Sequence, residues 1–199
     1  MATGLSWRSL LASLLAAAFL TACDPGGPKF KSTDITGAEY GRWLTLTDPS
    51  GTRRALEDFH GRVVVVFFGF VHCPDVCPTT LGELANVMKQ LGPEADKVQV
   101  LFVTLDPERD TPSVIAQYTA AFDPRFLGLY GNADETQRAA REFKVFYEKR
   151  PGSRPGDYSI DHSAQSYVID TQGRLRLFVR HGRIAADLAL DIRTLLREK

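Results

Sequence analysis

The period of the hydrophobic pattern switches several times along the chain, and each switch predicts an element. "RVVVVFFGF", Arg62 to Phe70, is a nearly unbroken β-branched and aromatic run, the pattern of a central strand covered on both faces. "VQVLFVTLDP", starting at Val98, predicts a second buried strand. Between them Leu81, Leu84, Val87, Met88 and Leu91 recur at helical spacing, and Gly92-Pro93 stops that helix. Ahead of the first strand, "WLTLTDPSGTRRALEDFHG" alternates and then turns at Asp48-Pro49-Ser50-Gly51, which predicts a short hairpin. Downstream, "TPSVIAQYTAAF" predicts a helix with Thr111 as N-cap and Pro112 in its first position. "FLGLYG" reads as a brief strand or loop, and "ADETQRAAREFKVF" as a helix bending toward a strand near Val145. "EKRPGSRPGD" is a basic, turn-rich loop, "SYVIDTQGRLRLFVR" a hairpin turning near Thr171 to Gly173, and "IAADLALDIRTLLREK" a closing amphipathic helix. Strands alternating with helices, followed by a hairpin, argue an α/β domain with a mixed central sheet flanked by helices and an N-terminal hairpin extension.

Composition changes this picture little. With 199 residues, 44% of them hydrophobic, the chain suits one globular domain with a sizeable core. Its 24 basic and 24 acidic residues cancel, which removes any bulk electrostatic argument for a nucleic acid or an anionic membrane; no nucleic-acid partner is expected. The N-terminus is different. Arg8 precedes an apolar run from Leu10 to Leu20, too short for the roughly 20 residues a bilayer span needs but suited to the core of a secretory signal. The run ends in Leu20-Thr21-Ala22-Cys23, which resembles the lipobox of bacterial lipoproteins. That resemblance implies removal of a signal peptide, residues 1–22, and lipidation at Cys23. A plain signal peptide, or a short anchor with an incidental cysteine, is the alternative. Asp24 follows directly, as in the inner-membrane retention signal of enteric lipoproteins. Residues 23–40, rich in Pro, Gly and polar side chains, read as a lipid-anchored tether, and residues 41–199 as the domain.

The chemistry centres on "FGFVHCPDVCPTTL", Phe68 to Leu81. Three cysteines is an odd count for an exported chain; with Cys23 lipidated, Cys73 and Cys77 remain as a pair in an oxidising compartment. On a first helical turn an i, i+4 pair shares one face, with β-carbons about 5–6 Å apart. A rotamer choice at each cysteine then permits either a shared metal or a disulfide. A helix N-terminus favours the thiolate. Pro74 and Pro78 argue for an irregular or delayed helix start, after Pro78, with both sulfurs on a loop above the helix. A cysteine pair just after the first central strand, at the start of a helix, points to the thioredoxin-like fold.

A third donor must come from elsewhere in the chain. His60 lies in a turn, His72 beside Cys73 where adjacent side chains diverge, and His181 in a loop after the last hairpin. His162, in "YSIDHSAQSYVID", precedes a strand whose entry loop lies against the cysteine motif in thioredoxin-like folds and usually carries a cis-proline. Here that place has no proline and holds His162. Two thiolates and an imidazole form a soft, three-donor set that suits Cu(I), whereas zinc would want a fourth ligand.

At these residues the chain resembles the Sco/SenC family of copper-binding assembly factors for cytochrome c oxidase. The matching pieces are "FGFVHCPDVCPTTL", "FVTLDPERDTP", "PRFLGLYG" and "YSIDHSAQSYVID", in family order between Gly41 and Leu196. The resemblance implies a thioredoxin-like fold and copper held by Cys73, Cys77 and His162, with Cu(I) and Cu(II) both open. It implies delivery to the copper-binding subunit of the oxidase, and a location on the periplasmic face of the bacterial inner membrane. A copper-donor chaperone and a thiol reductant are further expected partners. Many relatives use a transmembrane helix where this chain offers a lipobox. Asp75 and Asp161 are candidates to hydrogen-bond and tune the ligands. "DPERDTP", Asp106 to Pro112, is expected to cap a helix beside the site or to touch a partner. The basic Lys149–Pro155 stretch reads as a solvated turn or as a dock for an acidic partner. The competing function is a thiol–disulfide oxidoreductase that uses Cys73 and Cys77 as a redox pair to keep oxidase cysteines reduced. A peroxiredoxin-type peroxidase ranks low, because it wants Thr or Ser three residues before the reactive cysteine and Phe70 stands there.

Overall fold

The computed structural model describes residues 29–154 and 156–198. The expected signal peptide, Cys23 and the first part of the tether lie outside the described residues. In chain order the elements are β1 (Thr33–Asp34), β2 (Thr45–Thr47), β3 (Arg53–Ala55), β4 (Val63–Gly69), α1 (Val76–Leu91), β5 (Val98–Thr104), α2 (Pro112–Ala120) and β6 (Leu127–Leu129). Then come α3 (Ala133–Glu142), β7 (Tyr147–Pro151), β8 (Tyr158–His162), β9 (Ser166–Ile169), β10 (Leu175–Val179) and α4 (Ile184–Arg197). Six strands form one mixed sheet in the order β1-β10-β9-β4-β5-β6. β4, β5 and β6 run parallel, while β9 is antiparallel to both β4 and β10.

β4 sits in the middle because every one of its residues can be buried. Val63, Val65 and Phe67 face a core shared with α1, α2 and α4. Val64, Val66 and Phe68 face a second core under the β2–β3 hairpin and α3. Each such side chain contributes about 1.5–3 kcal/mol on burial, so a polar residue at any of these places is strongly selected against by the fold. β4 and β5 stay in register from Val63↔Val98 to Gly69↔Thr104 and therefore end together. The loops beyond them emerge side by side, at the carboxyl ends of the parallel strands, where open α/β sheets form crevices.

The fold departs from the hydrophobic pattern in three places that bear on the site. First, the second half of the tether is strapped to the domain. β1 pairs with β10, and the amides of Lys31 and Ser32 donate to the Asp191 carboxylate at 2.7 and 2.8 Å. Phe30 lies under the Arg176 guanidinium, 5.5 Å from ring centre to carbon. A two-residue strand has no period to read. Second, the turn-rich loop is the tip of a hairpin: β7 and β8 pair antiparallel from Tyr147↔His162 to Pro151↔Tyr158. Its strands are largely exposed, so they show no alternation. Third, the bend near Val145 is made by Lys144, whose φ of 53° ends the helical path before β7 begins.

Candidate metal centre

Beyond Gly69 the chain must leave the sheet before α1 begins. The Cys73 amide donates to the Phe70 carbonyl at 3.2 Å, closing a turn, and α1 starts at Val76. The delayed start expected after Pro78 does not occur. Pro78 is the third residue of α1, where its missing N–H has no intrahelical partner to lose. The two cysteines therefore share neither a loop nor a helix face. Cys77 lies in the first turn of α1, and Cys73 in the turn ahead of it. Its Sγ accepts the Cys77 amide at 3.4 Å, as a cap oxygen would, while Asp75 at the N-cap position makes no side-chain cap bond.

Gly69 makes room for this. A β-carbon there would sit 2.8 Å from Cys77 Sγ and 3.0 Å from the Phe102 ring. The buried sulfur rests on bare backbone at the end of β4. The sequence pattern alone does not single out this glycine; its only signal is a small residue at the end of an otherwise bulky strand.

His162 comes from the far end of the β7–β8 hairpin. Its Nε2 lies 3.5 Å from Cys77 Sγ, and the donor atoms of Cys73, Cys77 and His162 all fall within 4.8 Å of one another. The edges of Phe67 and Phe70 meet the imidazole, with ring centroids 6.4 and 5.8 Å away. Nδ1 is 2.9 Å from the Ser163 carbonyl. A carbonyl only accepts, so Nδ1 carries the proton and Nε2 keeps its lone pair toward the sulfurs. Two sulfurs on one ion at about 2.3 Å each are separated by at most about 4.6 Å. The present spread of the three donors, within 4.8 Å, is close to that limit.

Both thiols are free, and their surroundings drive them apart. The Cys77 thiol as donor, outweighing burial, pulls Cys73 down to about 4, with further help from the amides of Asp75 and Cys77. Cys77 is pushed up by the Cys73 sulfur and by its own burial. The pair therefore holds one proton, with Cys73 as thiolate and Cys77 as thiol. Cys73 and His162 line a cleft of ≈ 300 Å³ beside Pro74, Asp75 and Asp161, while Cys77 is sealed beneath at 0% exposure.

The other residues singled out in the sequence fall into place around this. The Asp161 carboxylate is turned to Arg150 Nε at 2.9 Å, and that of Asp75 to Thr79 Oγ1 at 3.5 Å. The ring partner expected from an aspartate is instead the Ser163 carbonyl, because β8 ends at His162 and the next carbonyl lies against the ring. His72 Nδ1 is 3.8 Å from Asp110, and His181 Nδ1 is 3.1 Å from Thr80 Oγ1. The ring of His60 lies over Gly173. The charges of Lys149 and Arg150 are met locally, by Glu108 at 2.6 Å and by Glu148 and Asp161 at 2.8 and 2.9 Å.

The "DPERDTP" segment does more than cap. Thr111 is the cap of α2, accepting the Val114 amide at 3.4 Å. Asp106, fully buried, accepts from Tyr158 Oη at 2.7 Å and from Arg109 Nε at 2.5 Å. Arg109 also donates to the Tyr158 carbonyl at 2.9 Å and stacks 3.6 Å above its ring. The loop after β5 thus braces β8, the strand that presents His162. Asp110 accepts from Thr104 Oγ1 at 2.5 Å and from the Val71 amide at 3.0 Å. Burial pushes its carboxyl up. It joins the two neighbouring loops below the site. The only signal of this brace in the sequence is a charged run straight after a buried strand, at the end of the sheet where the cysteines also emerge.

Residues 32–197 match SCO1/SenC. The mitochondrial SCO2 homolog of Danio rerio is 44% identical over 130 residues, 64% of this chain and 47% of that protein. The human mitochondrial SCO1 homolog is 35% identical over 156 residues, 75% of this chain and 52% of that protein. The chain therefore spans about half the length of these curated relatives. Bradyrhizobium japonicum ScoI, solved with copper bound, superposes with a TM-score of 0.72 at 36% identity, covering 78% of this chain and 99% of that one. Apo Sco1 from Thermus thermophilus gives 0.75 at 39% identity, covering 84% and 97%. The α/β fold, with its mixed sheet and small added hairpins, is the thioredoxin-like fold of those structures. The family match over most of the domain and the convergence of two cysteines and a histidine agree, and the chain belongs to the SCO1/SenC family.

Proposed function

We propose that this protein takes copper as cargo on Cys73, Cys77 and His162 and delivers it for assembly of the copper centre of a respiratory cytochrome c oxidase. One observation carries the reading: three soft donors from two distant segments converge within 4.8 Å of one another. Sulfur and imidazole of this kind suit Cu(I) and do not exclude Cu(II). The copper-bound relatives support the same assignment. Cys73 and His162 border a cleft, so an acceptor ligand has a path to the ion and transfer proceeds by ligand exchange. Binding displaces the proton left on Cys77. Metal analysis of the reduced protein beside Cys73→Ala, Cys77→Ala and His162→Ala tests this. One copper per chain is expected for the parent, with affinity down by more than about 100-fold in His162→Ala, since losing even an outer partner of a ligand costs 10–100-fold. Equal copper retention by that variant removes His162 from the site.

A second reading is favoured by the asymmetry of the thiols. A Cys73 thiolate at the cleft, with a protonated Cys77 beneath it, is the arrangement of a reductant. The thiolate attacks a disulfide of the partner and one partner sulfur leaves. Cys77 then loses its proton and attacks Cys73, so that the partner departs as a dithiol and this chain keeps the disulfide. Oxidase assembly in His162→Ala separates the two: assembly that survives without copper binding favours the reductant.

We further propose export with removal of residues 1–22, lipidation of Cys23, and a place on the periplasmic face of a bacterial inner membrane. Residues 23–40 then connect anchor to domain. Among the described residues no helix is long and apolar enough to cross a membrane. Loss of lipid labelling in Cys23→Ser tests the anchor.

A further inference from the structure

The net charge of zero conceals a local separation. Lys31, Arg180 and Arg183, all exposed, border one concavity of ≈ 450 Å³ along the β1–β10 edge, floored by Phe178. The carboxylates nearby are largely engaged elsewhere. Asp191 is taken by the amides of Lys31 and Ser32, and Asp34 by the amide and hydroxyl of Thr36. Asp187 approaches Arg183 only to 3.8 Å. Among the described residues Lys31 and Arg180 form no ion pair.

Position gives this patch a meaning. The chain leaves the described domain at Lys29, next to the patch, and its exit is fixed by Phe30 under Arg176 and by the two amides on Asp191. Seven residues, 23–29, separate that exit from Cys23 and span at most about 25 Å. β4 and β10 run in the same direction, since both are antiparallel to β9. Phe67, Ser166 and Val179 lie in one row across them. The patch and the metal centre therefore share one end of the sheet, about 10 Å apart at two strand spacings. His181, between the two arginines of the patch, reaches Thr80 on α1 one turn past Cys77.

We propose that the Lys31–Arg180–Arg183 edge docks on anionic phospholipid headgroups and turns the metal-site end of the domain toward the bilayer. The closeness it needs rests on the proposed anchor at Cys23. A basic side chain loses its attraction to an anionic surface within a Debye length, about 8 Å, and an edge tethered this closely is held within reach of the surface. The cargo would then be presented next to the membrane in which an integral acceptor lies, and not toward open solvent.

The test uses the full chain reconstituted in phosphatidylcholine vesicles, with or without about a third phosphatidylglycerol, and reads hydrogen exchange by residue. The expected result is added protection of the 31–33 and 180–184 amides in the anionic vesicles only, abolished by high salt. At about fivefold per charge, the Lys31→Gln/Arg180→Gln/Arg183→Gln variant lowers occupancy of the surface on the order of 100-fold and erases the difference, with copper content unchanged. Retention on the neutral vesicles reports the anchor alone, so failure of anchoring and failure of the patch give different results. Equal exchange in the two vesicle types overturns the proposal. So does protection that arises only when an acidic protein is added, which reassigns the edge to a protein partner.

Discussion

Two hairpins stand outside the six-stranded sheet, and they are fastened by opposite means. β2–β3 is fastened by apolar burial: Leu44 and Leu46 are each 1% exposed in the core on the α3 side of the sheet. Its turn is held by Asp48, which accepts from the amides of Ser50 and Thr52 at 2.8 and 3.1 Å and from Arg54 Nε at 2.8 Å. In β7–β8 only Ile160 is buried. Ile160 and the half-buried Tyr147 and Tyr158 rest on the core, but the contacts that tie the hairpin to the loop after β5 are largely polar: Asp106 on the Tyr158 hydroxyl, Arg109 on its carbonyl and ring, and Glu108 on Lys149. The hairpin that only covers the core is built from apolar side chains, whereas the hairpin that carries the proposed ligand is held by contacts that can open and re-form. An imidazole that must close on an ion and later release it gains from the second kind of support.

The sharpest way to break this comparison is Arg109→Ala. Among the described residues it leaves the buried Asp106 carboxylate with the Tyr158 hydroxyl as its one remaining donor, and removing one partner of a buried pair costs about 3 kcal/mol. Urea unfolding should show that loss, and hydrogen exchange should show it first in residues 147–162. If β2–β3 loosens equally, the two hairpins are not independently fastened.

Asp48→Asn probes the other hairpin. Burial raises the Asp48 carboxyl, but the bonds from Ser50, Arg54 and Thr52 prevail and bring it from 3.8 to about 2. A depressed folded pKa means stability that is fully present above about 4 and lost as pH falls through about 2, close to 2 kcal/mol in all. The wild type should therefore lose this much more than Asp48→Asn across an acid titration of unfolding, while copper binding at neutral pH is the same in both. An identical acid slope for the two proteins would count against the assignment.

Tyr158→Phe is the mildest of the three. It removes one hydroxyl and keeps the ring under Arg109, for about 1 kcal/mol. Global stability should hardly move. Exchange in β8 should rise and copper affinity should fall severalfold, since His162 then closes from a looser strand. Unchanged affinity would mean that the brace has no part in presenting the ligand.

Most of the scaffold was legible because burial writes a period into the chain. The runs at Val63 and Val98 had to be central strands. The Leu81–Leu91 spacing had to be one face of a helix, and Asp48-Pro49-Ser50-Gly51 had to turn. Elements without a buried face left no such mark. β1 is two residues long, and β7 and β8 are mostly wet, so composition alone assigned them to tether and loop. The proline argument at Pro78 misled for a different reason: a helix start tolerates a missing N–H that a helix interior does not.

Sequence by itself determined which atoms are available for chemistry: two sulfurs four residues apart after a buried strand, and a histidine far downstream in a place where this fold brings it back. Those are matters of local chemistry and of periodicity, and both are linear properties. Only the tertiary structure decided how the donors are poised. It put Cys73 ahead of α1 as its cap, set Cys77 on the bare backbone of Gly69, fixed the free lone pair of His162 through the Ser163 carbonyl, and braced β8 from the loop after β5. It also gathered Lys31, Arg180 and Arg183 on one edge. The brace and the basic edge join residues remote in sequence, the other three set near neighbours at angles that only the folded backbone fixes, and none leaves a repeat or a run in the chain from which it could have been read.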